Sequence, residues 1–285
     1  MIQDIYPHKL KNSFIPGKTS TPESLVIHFD TNGRILTNEK GKPFYRLSDF
    51  GVAPKTLTYI FSVDEDDFFL IEDDEIKAPA GHLYMRMRDF RRREDTPKKS
   101  IFEAFTAGQL HKWYVNNKFC GRCGNLTGRS SEERAIVCAG CGNIIYPRVV
   151  PAVIVAVIKK ADDRKDNEIV LTRYQGNKVP YFALVAGFTE IGETLEETVQ
   201  REVYEETGLK VKNITYYKSQ PWGVADDILA GFFCLVDGNT EITRDDSELS
   251  YADWTRREDV VLQPDDLSLT NEMMTLFKEG KEPSI

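Results

Sequence analysis

The chain has 285 residues and a net charge of −8, with 41% hydrophobic, 29% charged and 11% aromatic residues. This composition is typical of a folded protein with a buried core, and the length favours two or three compact units. The acidic balance disfavours non-specific nucleic-acid binding, which needs a basic surface to displace counterions. Because no apolar stretch has the length of a signal peptide or a membrane span, we expect a cytoplasmic protein.

The first hundred residues are predicted to be mainly β-strand. Residues 25–29 and 34–37 flank the sequence Asp30-Thr31-Asn32-Gly33, which predicts a hairpin, and residues 56–61 and 68–71 flank an acidic turn. From Ile101 to about Asn117 the apolar residues have helical spacing. We therefore assign residues 1–115 to a β-rich N-terminal domain that ends in a helix. An arginine cluster in it predicts a solvated charged face, with a phosphate contact as the alternative: Arg86, Arg88, Arg91, Arg92 and Arg93.

Four of the five cysteines form two C-x-x-C pairs, Cys120/Cys123 and Cys138/Cys141, with fourteen residues between them. Two such knuckles supply the four thiolates of a closed tetrahedral Zn²⁺ site, which would be structural because no coordination position stays open. A redox role for either pair is the alternative. We assign residues 116–147 to a zinc ribbon. The fifth cysteine, Cys234, lies in an apolar run and is expected to be a buried thiol.

Residues 148–280 alternate predicted strands with two helices, which favours an α/β sandwich with a mixed sheet. The first strand, at residues 149–158, is apolar on both faces, and residues 168–173 return as its partner. Further strands are predicted at residues 181–186, 214–218, 228–236 and 251–256. The helices are predicted at residues 195–207 and from 269 to about 278.

The first of these helices carries an unusual set of acids. Thr194 is a suitable N-cap and Gly208 a suitable terminator, while Leu195, Val199 and Val203 form the buried stripe. Glu202, Glu205 and Glu206 stand at i, i+3 and i+4, so their carboxylates converge on another face. Such acids repel one another unless a hard cation such as Mg²⁺ compensates, and Mg²⁺ suits a diphosphate substrate. A solvated acidic helix is the alternative. Arg201 can pair with Glu205 and orient it.

The segment from Gly187 to Leu209 resembles the Nudix box, G-x5-E-x7-R-E-U-x-E-E-x-G-U, at every defined position. The matching residues are Gly187, Glu193, Arg201, Glu202, Glu205, Glu206, Gly208 and Leu209. The resemblance implies that the three last glutamates bind catalytic Mg²⁺ or Mn²⁺, assisted by the carbonyl of Ala186. It also places Glu193 and Arg201 in the catalytic constellation and implies attack of metal-bound water on a phosphorus of a diphosphate. Which carboxylate takes the proton stays open.

A zinc ribbon directly before this box, followed by Ser219-Gln220-Pro221-Trp222, resembles the NADH pyrophosphatase subfamily over residues 115–280. That resemblance implies a degenerate Nudix-like N-terminal domain, a homodimer, and hydrolysis of NAD(H) to NMN(H) and AMP. It also implies substrate contacts by Gln220, Pro221 and Trp222. Three more residues match contacting positions by spacing: Glu133 and Tyr146 for the substrate, and Glu248 for the metal. For each of these three, a packing or surface role is the alternative.

The chain departs from the subfamily after Trp222, where S-Q-P-W-P-F-P-x-S is expected and Gly223-Val224-Ala225-Asp226-Asp227 stands instead. Rigid apolar surface is lost, and two acids enter where an anionic ligand is expected. An ADP-ribose or other nucleoside-diphosphate-derivative pyrophosphatase is therefore kept as an alternative. A non-catalytic nucleotide sensor is a third reading, against which the intact carboxylate set argues. NAD-capped RNA is a substrate extension known for the family, although the net negative charge does not support it.

Overall fold

The computed structural model describes residues 1–38, 43–176 and 181–285. The chain divides into two compact units, one formed by Met1–Gln3 together with Val149–Ile285 and the other by Asp4–Arg148. The second unit thus includes both the β-rich N-terminal part and the cysteine segment. The separate boundaries that the sequence suggests for these two parts stay a prediction. No helix in the described ranges is long and apolar enough to cross a membrane.

The unit of residues 4–148 contains short strands and two helices. The strands are β1 (Leu10–Lys11), β2 (Leu25–His28), β3 (Ile35–Asn38), β4 (Tyr45–Arg46), β5 (Leu57–Val63), β6 (Asp66–Ile71), β7 (His82–Met85), β8 (Gly128–Arg129), β9 (Ile136–Val137) and β10 (Ile144–Ile145). The helices are α1 (Met87–Arg91) and α2 (Lys98–Asn116). Among the described residues, one sheet has the order β1-β5-β6-β2-β4, β3 pairs with β7, and the ribbon sheet has the order β10-β9-β8.

The hairpin predicted around Asp30 is wrong in its pairing, although the turn itself forms. The carboxylate of Asp30 accepts hydrogen bonds from the backbone amides of Asn32 and Arg34, and Gly33 has a φ of 68°. The strands on either side then diverge into different sheets and share only an isolated bridge between Phe29 and Ile35. The reason is that β2 is paired on one edge with β6 and on the other with β4, so no edge is left for β3.

In the arginine cluster, Arg86, Arg88 and Arg92 are exposed, as expected of a solvated face, whereas the Arg93 side chain is 15% exposed and its Nη1 donates to the Asn38 carbonyl. Arg86 and Arg88 pair with Asp89, and Arg93 pairs with Asp95.

The unit that contains residues 149–285 is a mixed sheet between two helices. Its strands are β11 (Val150–Lys159), β12 (Glu168–Tyr174), β13 (Val185–Phe188), β14 (Val211–Trp222), β15 (Asp227–Val236) and β16 (Leu249–Arg256), and its helices are α3 (Leu195–Thr207) and α4 (Leu269–Lys278). Within the described ranges the order is β14-β15-β11-β12-β16, with β13 also paired to β11. Both predicted helices form as expected. The strand predicted at residues 181–186 lies further along the chain, at Val185–Phe188, where it pairs with Ala152–Val155.

Alternation along β11 builds the two sides of the core. Val153, Val155 and Val157 pack in a cluster with Val199 and Val203 of α3. Ala152, Ile154, Ala156 and Ile158 pack in the opposite cluster with Leu269, Met273 and Met274 of α4. Successive side chains of a strand point to opposite faces, so an all-apolar strand needs cover on both. Cys234 is fully buried in the first cluster, as expected of a structural thiol.

Candidate functional site

Helix α3 presents the acidic residues because its other face is fixed to the sheet. At its start, the Thr194 hydroxyl accepts from the Glu197 amide while the Glu197 carboxylate accepts from the Thr194 amide, which closes a capping box. At its end, Gly208 adopts the left-handed conformation with a φ of 70°. Val199 and Val203 are fully buried against the sheet. The rotation of the helix about its axis is therefore set, and with it the direction of each glutamate.

Glu206 is the buried member of the acidic set, with 2% of its surface exposed. Its Oε1 accepts a hydrogen bond of 2.9 Å from the Tyr174 hydroxyl, whereas its Oε2 is buried without a hydrogen-bond partner among the described residues. Burial, together with the charges of Glu202 and Glu248, raises the pKa of Glu206 to about 8, although the hydrogen bond from Tyr174 acts in the opposite direction. An unsatisfied buried carboxylate oxygen is costly, so this atom fits a site that a cation completes.

Tyr174 joins two predicted metal ligands and was missed by the sequence analysis. Its hydroxyl lies 3.0 Å from the carbonyl oxygen of Ala186 and 2.9 Å from Oε1 of Glu206. Since a phenol has one proton, it donates to one of these oxygens at a time. In the sequence, only the alternation along β12 could have indicated that Tyr174 points towards α3. Val170 packs against the α3 side of the sheet, and residues 172 and 174 follow it at intervals of two.

Glu202 lies directly over Gly187 of β13. A Cβ atom at position 187 would be 1.9 Å from the carboxyl carbon of Glu202, so only glycine leaves room for this carboxylate. The side chain of Glu202 is 12% exposed and receives a hydrogen bond of 2.7 Å from Arg201. Burial raises the pKa of Glu202, with Arg201 acting in the opposite direction. Gly187, the first glycine of the box, is therefore needed for Glu202 to occupy this position.

Arg201 forms hydrogen bonds with three acids of the box, Glu193, Glu202 and Glu205. It binds Glu193 through two nitrogens, at 2.6 and 2.9 Å, and donates from Nη1 to Glu202 and to Glu205. Its Nη2 also donates to the carbonyl of Phe188, which ties α3 to the end of β13. Hydrogen bonds from Arg201 and from the Glu190 amide lower the pKa of Glu193 to about 2. The predicted pairing of Arg201 with Glu205 is confirmed, and Glu193 and Arg201 hold the site without themselves being candidate metal ligands.

Two further predicted ligands are more open to solvent. The side chain of Glu205 is 56% exposed and bound to Arg201, and Glu248 is exposed in the loop before β16. The charge of Glu248 acts to raise the pKa of both Glu202 and Glu206. Across the ranges described, the carboxylates of Glu202, Glu205 and Glu206 do not form a cluster with all ligand atoms within 4.8 Å of one another. The residues nonetheless fit a divalent cation, because Glu206 offers an unsatisfied oxygen and Gly187 leaves space at Glu202.

The four cysteines of the ribbon do form such a cluster, in the other unit. Their sulfur atoms all lie within 4.8 Å of one another, with Cys120 and Cys141 at 3.7 Å and Cys123 and Cys138 at 3.5 Å. A tetrahedron with Zn–S bonds of about 2.3 Å has sulfur–sulfur edges of roughly 3.8 Å, so the observed spacing fits Zn²⁺. The amide of Arg122 and the side-chain amide of Asn143 point at the sulfur of Cys120. These donors stabilise a thiolate, as a second shell around zinc does.

Glu133 and Tyr146 are brought together in the ribbon unit. The Tyr146 hydroxyl donates to Oε1 of Glu133 over 3.0 Å, and both side chains are exposed. The hydrogen bond raises the pKa of Tyr146. Their predicted contact with a substrate stays a prediction.

The prediction that Gln220 offers its amide to a substrate does not fit the structure and is corrected here. Gln220 is fully buried, and its Nε2 donates to the Leu267 carbonyl and to Gln3, while its Oε1 accepts from the Leu269 amide. With donor and acceptor both engaged, this side chain joins β14 to the start of α4. Pro221 is exposed, and Trp222 is partly buried against the core on the α4 side. Only these two remain available as contacts from the segment.

The segment that departs from the subfamily pattern is a tight turn between β14 and β15. Trp222 pairs with Asp227 across the turn, and the Asp226 carbonyl accepts from the amide of Val150. Val224 and Ala225 are exposed, whereas Asp227 is 5% exposed. The expectation that both acids face a ligand is therefore wrong for Asp227, which the strand pairing draws into the sheet.

Comparison with known families identifies both parts of this arrangement. Residues 150–276 match the NUDIX domain family, and residues 116–146 match the NADH pyrophosphatase zinc ribbon domain family. The chain therefore carries a Nudix domain of α/β class, preceded by a zinc ribbon of the NADH pyrophosphatase type and a β-rich N-terminal region.

Individual proteins similar to this chain share the name NAD-capped RNA hydrolase NudC. The chain is 40% identical over 156 residues to the NAD-capped RNA hydrolase NudC of Salmonella typhi, and 39% identical over 156 residues to the protein of that name from Escherichia coli strain SMS-3-5 / SECEC. Each match covers 55% of this chain and 58% of the relative, so little more than half of either protein is compared. A solved NUDIX hydrolase from Nitrosomonas europaea is 19% identical, covers 56% of this chain and 90% of its own, and has a TM-score of 0.42. A score of that size supports no inference.

Proposed function

We propose that this protein is a metal-dependent pyrophosphohydrolase that cleaves the diphosphate bond of NAD(H) to give NMN(H) and AMP. One observation carries the proposal: Glu206 is buried with one carboxylate oxygen unsatisfied, and Tyr174 lies within hydrogen-bond distance of both Glu206 and the Ala186 carbonyl. The two domain matches and the NudC relatives support the substrate.

The reaction adds water across one phosphoanhydride bond: a P–O bond to the attacking oxygen forms, and the bridging P–O bond breaks. In the proposal, Glu202, Glu205, Glu206, Glu248 and the Ala186 carbonyl hold Mg²⁺ or Mn²⁺. When bound, such a cation neutralises charge on the diphosphate and lowers the pKa of a coordinated water. A carboxylate of this set accepts the proton released by the water, and the choice among them stays open.

Arg201 and Glu193 act in this proposal as positioning residues. Arg201 holds Glu202 and Glu205 through one nitrogen and is itself held by Glu193 and by the Phe188 carbonyl. The acids are therefore pre-oriented before a cation binds, and less of the binding free energy is lost in ordering them.

For the organic part of the substrate, we propose contacts by Pro221 and Trp222; a substrate contact by the Glu133–Tyr146 pair is a separate proposal that rests on the family resemblance. Trp222 offers an aromatic face to a nucleotide ring, and Tyr146 offers an exposed ring whose hydroxyl is oriented by Glu133. Zinc in the ribbon is proposed to be structural, because four thiolates leave no open position for a substrate.

ADP-ribose or another nucleoside-diphosphate derivative is the second candidate. The observation in its favour is the turn after Trp222, which lacks the apolar F-P segment of the subfamily and exposes Val224 and Ala225 instead. For NAD-capped RNA, which the relatives are named for, the charge of −8 gives no support, so a small dinucleotide is the substrate proposed. A cytoplasmic homodimer completes the proposal; size-exclusion chromatography with light scattering tests the dimer.

The deciding experiment incubates the zinc-loaded protein with NADH, NAD⁺, ADP-ribose and nucleoside triphosphates in Mg²⁺ or Mn²⁺, with products separated by chromatography. We expect AMP and NMNH from NADH at the highest kcat/KM. A preference for ADP-ribose would replace the substrate while keeping the chemistry, and no turnover of any compound would support a nucleotide sensor.

A matched pair of variants assigns the activity to the site. Glu206→Gln should remove most turnover with the fold retained, because a neutral amide oxygen binds a divalent cation much more weakly than a carboxylate does. Glu196→Gln changes an exposed acid in the first turn of the same helix and should leave kcat/KM unchanged. Equal activity of the two variants would refute the role of Glu206.

A further inference from the structure

The unit of residues 4–148 contains a cavity of about 190 Å³ that none of the predicted site residues lines. Its walls come from helix α2, from the end of β6, and from the ribbon strands β8 and β9. Pockets for drug-sized ligands run from roughly 300 to 1,000 Å³, so this space suits a single ring system and not a dinucleotide.

The floor of the cavity is apolar and aromatic. Phe29, Leu70, Ile71 and Ile136 are buried side chains that line it. The His111 ring stacks on Phe29, with centroids 4.8 Å apart and an interplanar angle of 26°. A flat ligand can therefore lie against aromatic and aliphatic surface.

Two polar groups in the wall have no hydrogen bond to any described residue: the imidazole of His111 and the hydroxyl of Tyr114. They lie three residues apart on α2, so they share one face of the helix. Burial lowers the pKa of His111 to about 4, so at neutral pH its ring is uncharged and offers one donor and one acceptor. An aliphatic ligand would leave these groups unpaired at a cost, whereas a ring with its own donor and acceptor would satisfy them.

The charged side chains that line the cavity are three acids and two cations: Glu72, Asp73, Asp74, Lys118 and Arg129. Arg129 lies over the Tyr114 ring, with its guanidinium carbon 4.1 Å from the centroid, and pairs with Glu72. The carboxylate of Asp73 accepts from the amides of Lys55 and Thr56. Lys118 and Asp74 remain as exposed side chains of opposite sign. The excess of acidic side chains therefore disfavours a phosphate-bearing ligand.

We propose that this cavity binds a planar nitrogen heterocycle of nucleobase size without a phosphate group, packed against the apolar floor and hydrogen-bonded by His111 and Tyr114. The site is separate from the proposed hydrolysis, since no residue that lines it belongs to the Nudix box or to the proposed substrate contacts.

The test titrates the zinc-loaded full chain with adenosine, uridine and nicotinamide, none of which contains a diphosphate bond, and follows the His111 ring by NMR. Saturable shifts of its ring signals are expected for at least one compound. His111→Phe keeps an aromatic ring on Phe29 and Tyr114→Phe removes only a hydroxyl, so each should weaken binding about tenfold. Tyr216→Phe, an exposed tyrosine of the other unit, is the control and should bind as the wild type does.

Three outcomes would overturn the proposal. The first is that no compound moves the His111 signals in the wild-type protein, a measurement that needs no variant to fold. The second is that toluene binds as tightly as the heterocycles, because recognition by His111 and Tyr114 would then be absent. The third is unchanged affinity in both folded variants.

Discussion

The substitution Gly187→Ala should disable the Nudix site without unfolding the protein. The new methyl group would lie 1.9 Å from the carboxyl carbon of Glu202, and carbon atoms pack at about 3.5–4.0 Å, so the carboxylate must move by roughly 1.5–2 Å. Misplacement of a group by 1 Å can cost about 10²-fold in rate, so we expect kcat/KM to fall by at least that factor. The backbone tolerates alanine, since Gly187 lies outside the left-handed region.

The expected loss of stability is small by comparison. Displacing Glu202 breaks its charged hydrogen bond to Arg201, worth about 1.5–3 kcal/mol, while alanine in a strand regains about 0.5–1 kcal/mol over glycine. The free energy of unfolding should fall by about 1–2 kcal/mol, measured in urea, and AMP release measures the activity. Gly51→Ala, where a Cβ meets nothing within 4 Å, is the control. If Gly187→Ala keeps kcat/KM within twofold of the wild type, Glu202 is not held as we describe.

Three further substitutions test other parts of the structure. Tyr174→Phe leaves Oε1 of Glu206 without its hydrogen-bond donor and should lower the free energy of unfolding, measured in urea, by about 1–3 kcal/mol. The loss should be smaller in saturating Mn²⁺, because a bound cation would stabilise the same carboxylate. An equal loss with and without Mn²⁺ would count against a cation at Glu206. Cys123→Ser should lower both the zinc content and the melting temperature, and one zinc per chain with an unaltered Tm would contradict a structural site. Burial raises the pKa of Glu103 to about 7, so the stability that the protonated side chain contributes is complete below about pH 4.5 and is lost as the pH rises to 7. Glu103→Gln should therefore increase the free energy of unfolding at pH 7.5 relative to its effect at pH 5. Urea unfolding curves that show no such difference would mean that Glu103 ionises freely.

Local signals explain what the sequence predicts well. The bounds of α3 are predictable because Thr194 and Gly208 act within one turn of the helix ends, and the apolar stripe repeats at helical spacing. The zinc cluster is predictable because each pair of cysteines is close in sequence and its chemistry is specific. In these cases the residues that decide the structure are neighbours along the chain.

Long-range contacts explain what the sequence does not predict. Tyr174 reaches Glu206 across 32 positions, and this depends on the pairing of β12 and β13 around β11. Gln220 has the right chemistry for a nucleotide, but Gln3, 217 positions away, and residues 267 and 269 satisfy its amide. Strand β2 makes a tight turn towards β3 and yet pairs elsewhere, because its edges are taken by β4 and β6.

The Nudix unit is discontinuous along the chain, since Met1–Gln3 belong to it and the next 145 residues fold as the other unit. Met1 and Ile2 are buried, and the amide of Ile2 donates to the carbonyl of Leu267. The partners of these three residues lie between positions 219 and 272, so they are synthesised long after residues 1–3. A fragment that begins at residue 149 would lack the buried side chains of Met1 and Ile2 and leave Gln220 without Gln3, so excising this unit at its family boundary removes part of its own interior.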